Sequence, residues 1–159
     1  MKIELSLILP VYNDAAALAA FLPELTAYLA TQGRAEIIVV DDGSRDDVRA
    51  VCTAARLPDN TVLRLLTLSR NFGKEAALSA VLQASTGDTV AMMDADGQHP
   101  VAVLAEMLAL HRLGADMVAA VQAKRGHEHR LLGFLKRGFY RFMQVGSRYA
   151  LTPDAGDFR

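Results

Sequence analysis

The stretch Glu36-Ile37-Ile38-Val39-Val40-Asp41-Asp42-Gly43-Ser44 decides the fold class. Its β-branched run reads as a strand, it halts at two carboxylates and a glycine, and a helical pattern from about Arg45 to Ala55 follows. The same strand, loop, helix unit is legible on both sides. Upstream, Ile3 to Leu9 is an apolar run stopped by Pro10, and Asn13-Asp14 offers a cap to an Ala/Leu-rich helix reaching about Thr31. Downstream, Val62 to Leu68 reads as a strand, Lys74 to Ser85 as a helix, Val90 to Met93 as a strand and Val101 to Leu113 as a helix, before the apolar stretch Met117 to Val121. Strands alternating with helices pair in parallel, so the expected class is α/β with a mostly parallel sheet and flanking helices.

Ligands of open α/β sheets bind outside the carboxyl ends of the strands, and the polar clusters of this chain fall there. They are Pro10-Val11-Tyr12-Asn13-Asp14, Asp41-Asp42-Gly43-Ser44, Ser69-Arg70-Asn71-Phe72-Gly73-Lys74 and Asp94-Ala95-Asp96-Gly97-Gln98-His99-Pro100. Asp94 and Asp96 stand one residue apart, so in extended backbone their side chains share a side and can share a cation. Hard oxygen ligands of this kind suit Mg²⁺ or Mn²⁺, and Mg²⁺ is usually held by one or two carboxylates together with substrate phosphates. A loop D-x-D pair also serves as a turn or a helix cap. One of Asp41 and Asp42 can accept from a base or ribose, and Asp42 can cap the helix beginning near Arg45; Arg70 and Lys74 can face phosphate, balance the aspartates, or be ordinary surface charge. His99 precedes Pro100 and reads as a loop residue, and His127 and His129 have no third ligand beside them for zinc.

The composition is that of one folded domain: 159 residues, 52% hydrophobic and 22% charged. A single cysteine, Cys52, excludes an internal disulfide and reads as a packed side chain. The net charge of −1 conceals an uneven distribution. Residues 1–123 carry 9 Lys/Arg against 15 Asp/Glu, whereas residues 124–148 carry 7 Lys/Arg against one Glu. A basic segment of that density points to an anionic partner, a membrane surface or phosphate groups, or else to a solvated basic helix. No nucleic-acid partner is expected, and no motif sets the oligomeric state. The N-terminus does not read as a signal peptide, and no apolar run is long enough to span a membrane.

At these loops the sequence resembles inverting family 2 glycosyltransferases of the GT-A fold, in particular the polyprenyl-phosphate sugar transferases. The resemblance runs along the whole chain. It is carried by Pro10-Val11-Tyr12-Asn13, Val39-Val40-Asp41-Asp42-Gly43-Ser44, Leu68 to Leu78, Met93 to Pro100 and Gly156-Asp157-Phe158-Arg159. The third and fourth are the narrower motifs, similar to those of dolichyl-phosphate mannose synthases and bactoprenol glucosyltransferases. The resemblance implies transfer of a sugar from a nucleotide diphosphate sugar, UDP- or GDP-linked, to a polyprenyl phosphate with inversion. It also implies that Pro10, Tyr12, Asp14, Val40, Asp42, Asp94 and Ala95 line the nucleotide. Asp94, Asp96 and Gln98 would hold Mg²⁺ or Mn²⁺, with Asp96 and Asp157 as the catalytic candidates. Arg70, Lys74, Lys124, Arg125, Lys136 and Arg137 would face the acceptor or phosphate. The family often has Glu where Asp14 stands, and an arginine near Gln122 whose place Lys124 or Arg125 would take.

Within the basic segment, Leu131, Leu132, Leu135, Phe139, Phe142 and Met143 mark an apolar face, and Arg137, Arg141, Gln144 and Arg148 a polar one. This is the pattern of an amphipathic helix, lying in a membrane interface or packed on a core. The expected organisation is a nucleotide-sugar-binding α/β part over 1–123, with 124–159 a basic segment that begins the acceptor side of the same domain. The enzyme is expected at the cytoplasmic face of the membrane. Because Arg159 falls within a family motif, the chain is expected to be a truncated enzyme. A nucleotidyltransferase, or a non-catalytic nucleotide- or membrane-binding module, are the alternatives.

Overall fold

The computed structural model describes residues 2–95 and 100–120. Strands β1 (Leu5–Val11), β2 (Ala35–Asp41), β3 (Thr61–Thr67) and β4 (Thr89–Met92) alternate with helices α1 (Ala15–Leu29), α2 (Val48–Ala54), α3 (Lys74–Leu82) and α4 (Val101–Arg112). Among the described residues all pairings are parallel, in the order β3-β2-β1-β4. The expected α/β class is what forms, and the reason lies in the strands. β2 is buried at every residue, and strands covered on both faces need continuous apolar runs. Alternate residues of β1 and β2 supply two cores. Leu7, Leu9, Ile37 and Val39 pack with α1, α2 and α4 on one face, and Ile8, Ile38 and Val40 pack with Ala77, Leu78 and Val81 of α3 on the other. On α1, Leu18, Leu22, Leu25 and Leu29 recur at helical spacing, all buried. Cys52 is buried in the first core, as expected, and burial pushes its thiol pKa upward.

Several boundaries differ from the sequence reading. β1 runs through Pro10 to Val11. Within β1, Ile8 turns its carbonyl toward β4, accepting from Met93 N–H at 3.1 Å, and Val11 turns toward β2, accepting from Asp42 N–H at 2.9 Å. Pro10 shares the parity of Ile8, and β4 ends opposite Ile8, so the N–H that proline lacks would have had no ladder partner. α2 starts at Val48 rather than near Arg45, because its cap is Asp47, whose side chain accepts from Ala50 N–H at 3.0 Å. Asp42 therefore does not cap it. Nor do Asn13 and Asp14 cap α1 through their side chains: the carboxylate at that end is Asp46, accepting from Ala15 N–H at 2.7 Å. Residues 117–120 run outside the sheet, with Val118 and Ala120 packed against the first core. The segment 124–159, with its predicted amphipathic helix, lies outside the described residues.

Glu36 is an acidic side chain only 2% exposed, at the amino end of the sheet. Its carboxylate accepts from Ser6 Oγ (2.6 Å), Thr86 N–H (2.7 Å), Thr86 Oγ1 (2.9 Å) and Arg64 Nη1 (3.0 Å). Burial works to raise its pKa, but these hydrogen bonds outweigh it and hold the carboxyl below its ordinary 4.5. A carboxyl lowered by folding stabilises the fold above its unfolded pKa, and that contribution is lost as pH falls through the folded one. Urea midpoints are therefore expected to decline below about pH 4.5, with a shallower acid limb in Glu36→Gln. An unchanged limb would remove Glu36 from the acid transition.

Candidate functional site

Strand order β3-β2-β1-β4 places the chain reversal between β1 and β4, the crevice where open α/β sheets bind ligands. A pocket opens there, lined by Pro10, Val11, Tyr12, Asp14, Asp94 and Ala95. It exists because β4 stops at Met92, opposite Ile8, while β1 continues for three residues more. Five residues expected at the nucleotide thus meet in one place, from loops 80 residues apart in sequence. Val11 was missed, although it stands between two of them.

The first two loops are tied to each other. Asn13 N–H donates to Ser44 Oγ (3.0 Å), and Asn13 Oδ1 accepts from Arg45 N–H (2.8 Å). Asn13 adopts a left-handed φ of 52°, a conformation that Asn tolerates better than most residues and that recurs at functional sites. This bend leaves Tyr12 47% exposed at the pocket and Asp14 exposed beside it. Asp41 Oδ1 accepts from Ser44 N–H at 2.8 Å, closing the Asp41–Ser44 turn.

Asp42 ties a third loop to this edge. It is 4% exposed, and its two carboxylate oxygens accept from Phe72 N–H (2.8 Å) and Gly73 N–H (2.9 Å). It clamps the loop after β3 to the ends of β1 and β2. Val40 pairs with Pro10 in register, but its side chain is fully buried against α3 and it does not line the crevice. Arg70 stands over the Phe72 ring at 4.8 Å from its centroid, on the exposed side of the same loop.

Lys74, the first residue of α3, reaches Asp94 at the end of β4: Nζ donates to Oδ1 at 2.5 Å. Asp94 thus presents a carboxylate at the crevice, an oxygen ligand of the kind a divalent cation takes, and in this structure that carboxylate holds the Lys74 ammonium. Among the described residues no three His, Cys, Asp or Glu converge on such a site. The other expected ligands, Asp96 and Gln98, lie outside the described residues, as do Lys124, Arg125, Lys136, Arg137 and Asp157. No helix among the described residues is long and apolar enough to cross a membrane.

The chain is 33% identical over 162 residues to a protein named prophage bactoprenol glucosyl transferase homolog from Escherichia coli, covering 98% of the chain and 51% of that protein. It is 37% identical over 121 residues to an undecaprenyl-phosphate 4-deoxy-4-formamido-L-arabinose transferase of Pseudomonas aeruginosa, covering 76% of the chain and 36% of that protein. The chain therefore spans about half or less of the length of these curated relatives. Among solved structures, a mannosyltransferase from Pyrobaculum calidifontis in complex with GDP-Man and Mn²⁺ superposes with a TM-score of 0.59 at 27% identity, covering 91% of this chain and 39% of that one. Residues 6–157 match the glycosyl transferase family 2 profile, and the chain belongs to that family.

Proposed function

We propose that this chain is the donor-binding part of an inverting, divalent-cation-dependent sugar transferase, taking a sugar from a UDP- or GDP-sugar to a polyprenyl phosphate at the cytoplasmic face of a membrane. The observation that carries the reading is the meeting of Pro10, Tyr12, Asp14, Asp94 and Ala95 at the crevice between β1 and β4 in a family 2 chain. Relatives named for transfer involving bactoprenol and undecaprenyl phosphate support the acceptor class, and a structural relative holding GDP-Man and Mn²⁺ supports the donor and cation classes.

Tyr12 offers a half-exposed ring against which a nucleoside can pack, and the Asp14 carboxylate can accept hydrogen bonds from ribose or base. Asp94, with Asp96 and Gln98, would hold Mg²⁺ or Mn²⁺ against the diphosphate. A divalent cation there offsets the charge that develops on the leaving diphosphate. The acceptor phosphate oxygen attacks the anomeric carbon, and the bond from that carbon to the diphosphate breaks, its electron pair leaving with the nucleotide. An ionised phosphate is already a nucleophile, so this chemistry does not oblige any side chain to remove a proton. Asp157 would stand on the acceptor side. The positive charge of residues 124–148 would draw the enzyme to anionic lipid and to the prenyl phosphate.

Calorimetry with UDP and GDP, each with and without Mn²⁺, tests the donor site. One nucleotide is expected to bind, more tightly with Mn²⁺; no Mn²⁺-dependent binding of either would overturn the reading.

A further inference from the structure

The position of Lys74 is electrostatically awkward. It opens α3, where the helix dipole is positive and a cation is disfavoured, so its ammonium needs a carboxylate to hold it there. Asp94 is that carboxylate, with the two side chains 35% and 29% exposed. The backbone that delivers Lys74 is anchored independently of this pair. Asp42 N–H donates to the Val11 carbonyl, while its carboxylate takes Phe72 N–H and Gly73 N–H. A chain of hydrogen bonds thus runs from the end of β1, through Asp42, to the residue before Lys74, whose flexible stem then spans to the end of β4. The ammonium sits on the same carboxylate that the proposed function gives to a divalent cation.

We infer, resting on that functional reading, that Lys74 is a switching counter-ion: it holds Asp94 until donor and cation bind, then turns its ammonium to the donor diphosphate, so that cation and nucleotide bind cooperatively. A divalent cation and an ammonium on one carboxylate repel each other. The lysine side chain, with rotatable bonds and three donors, can leave Asp94 without moving the anchored backbone. The diphosphate brought to the same crevice gives the displaced ammonium a new anion. Each ligand thereby makes room for the other, which is a coupling free energy between two sites.

A fixed bystander charge would act differently. Removing it would strengthen cation binding and weaken anion binding by separate factors, leaving their coupling unchanged. A switching charge contributes to the coupling itself. The test is a binding cycle on the wild-type chain, Lys74→Gln and Lys74→Arg: Mn²⁺ alone by electron paramagnetic resonance, and UDP and GDP by calorimetry at zero and saturating Mn²⁺. In Lys74→Gln, Mn²⁺ alone is expected to bind more tightly, and the coupling factor to fall by about two- to fivefold, the scale of one partly exposed ion pair. Lys74→Arg is expected to retain most of the coupling. A coupling factor in Lys74→Gln equal to that of wild type overturns the switch while leaving the donor site standing. Absence of Mn²⁺-dependent nucleotide binding in the wild type overturns both.

Discussion

In an enzyme of the proposed function, replacing Asp94 by alanine is expected to lower sugar transfer to polyprenyl phosphate by a factor on the order of 10³, the scale of removing one electrostatic stabiliser of a developing negative charge. The loss should appear mainly as a fall in kcat/KM for the donor. Asp94 sits at the end of β4 and lines the crevice, so the substitution removes the proposed cation ligand and also the hydrogen bond that the Lys74 ammonium makes to it beside the positive end of α3. That ammonium would then be attracted to the donor diphosphate in the ground state, which binds substrate without lowering the barrier. Nucleotide affinity without Mn²⁺ is therefore expected to change little or to rise, while the Mn²⁺ enhancement disappears. Because the side chain is about a third exposed, the melting temperature should stay close to that of wild type. Transfer of labelled sugar by the Asp94→Ala enzyme at more than about a tenth of the wild-type rate would remove Asp94 from the proposed cation site.

Gly43→Ala is expected to destabilise the fold by about 2–5 kcal/mol, lowering the melting temperature by roughly 5–15 °C. Two costs combine at this glycine. Its φ of 74° lies in the left-handed region, which alone costs an L-residue about 1–2 kcal/mol. A Cβ there would also stand 2.5 Å from the Arg70 carbonyl carbon and 2.8 Å from Asn71 N. Both are backbone atoms, and the segment they belong to is clamped by Asp42 through Phe72 and Gly73, so it cannot easily retreat. Relief would push the loop after β3 away from β2 and carry Lys74 away from Asp94. Loss of stability should thus be accompanied by weaker Mn²⁺ coupling in whatever fraction remains folded. Urea denaturation is the direct measurement, and a change under about 0.5 kcal/mol would show that the loop yields freely.

The strands, the helices and the four polar loops were legible because each depends on local pattern. The run from Ile37 to Val40 had to be a strand, and Asp41-Asp42-Gly43-Ser44 had to end it. The boundaries that moved did so through contacts between segments distant in sequence. Pro10 reads as a strand stop when only its missing N–H is considered, yet β4 ends before that N–H would be needed. Asn13 and Asp14 look like a cap for α1, but the oxygen that serves it comes from Asp46, 31 residues away from Ala15. Glu36 opens a strand in the sequence, and nothing local announces that Ser6, Arg64 and Thr86 close around it.

The candidate site divides along the same line. Residue types and spacing by themselves determined the parallel α/β class, the placement of functional loops at the carboxyl edge, the D-x-D pair and the family, because strand and helix periodicity and loop chemistry are local properties of the chain. Tertiary structure alone decided that β1 lies beside β4, that Asp42 spends both its oxygens on the loop after β3, and that Lys74 rests on Asp94. Strand order follows from burying both faces of one sheet at once. That is a property of the packed whole, and no window of sequence contains it.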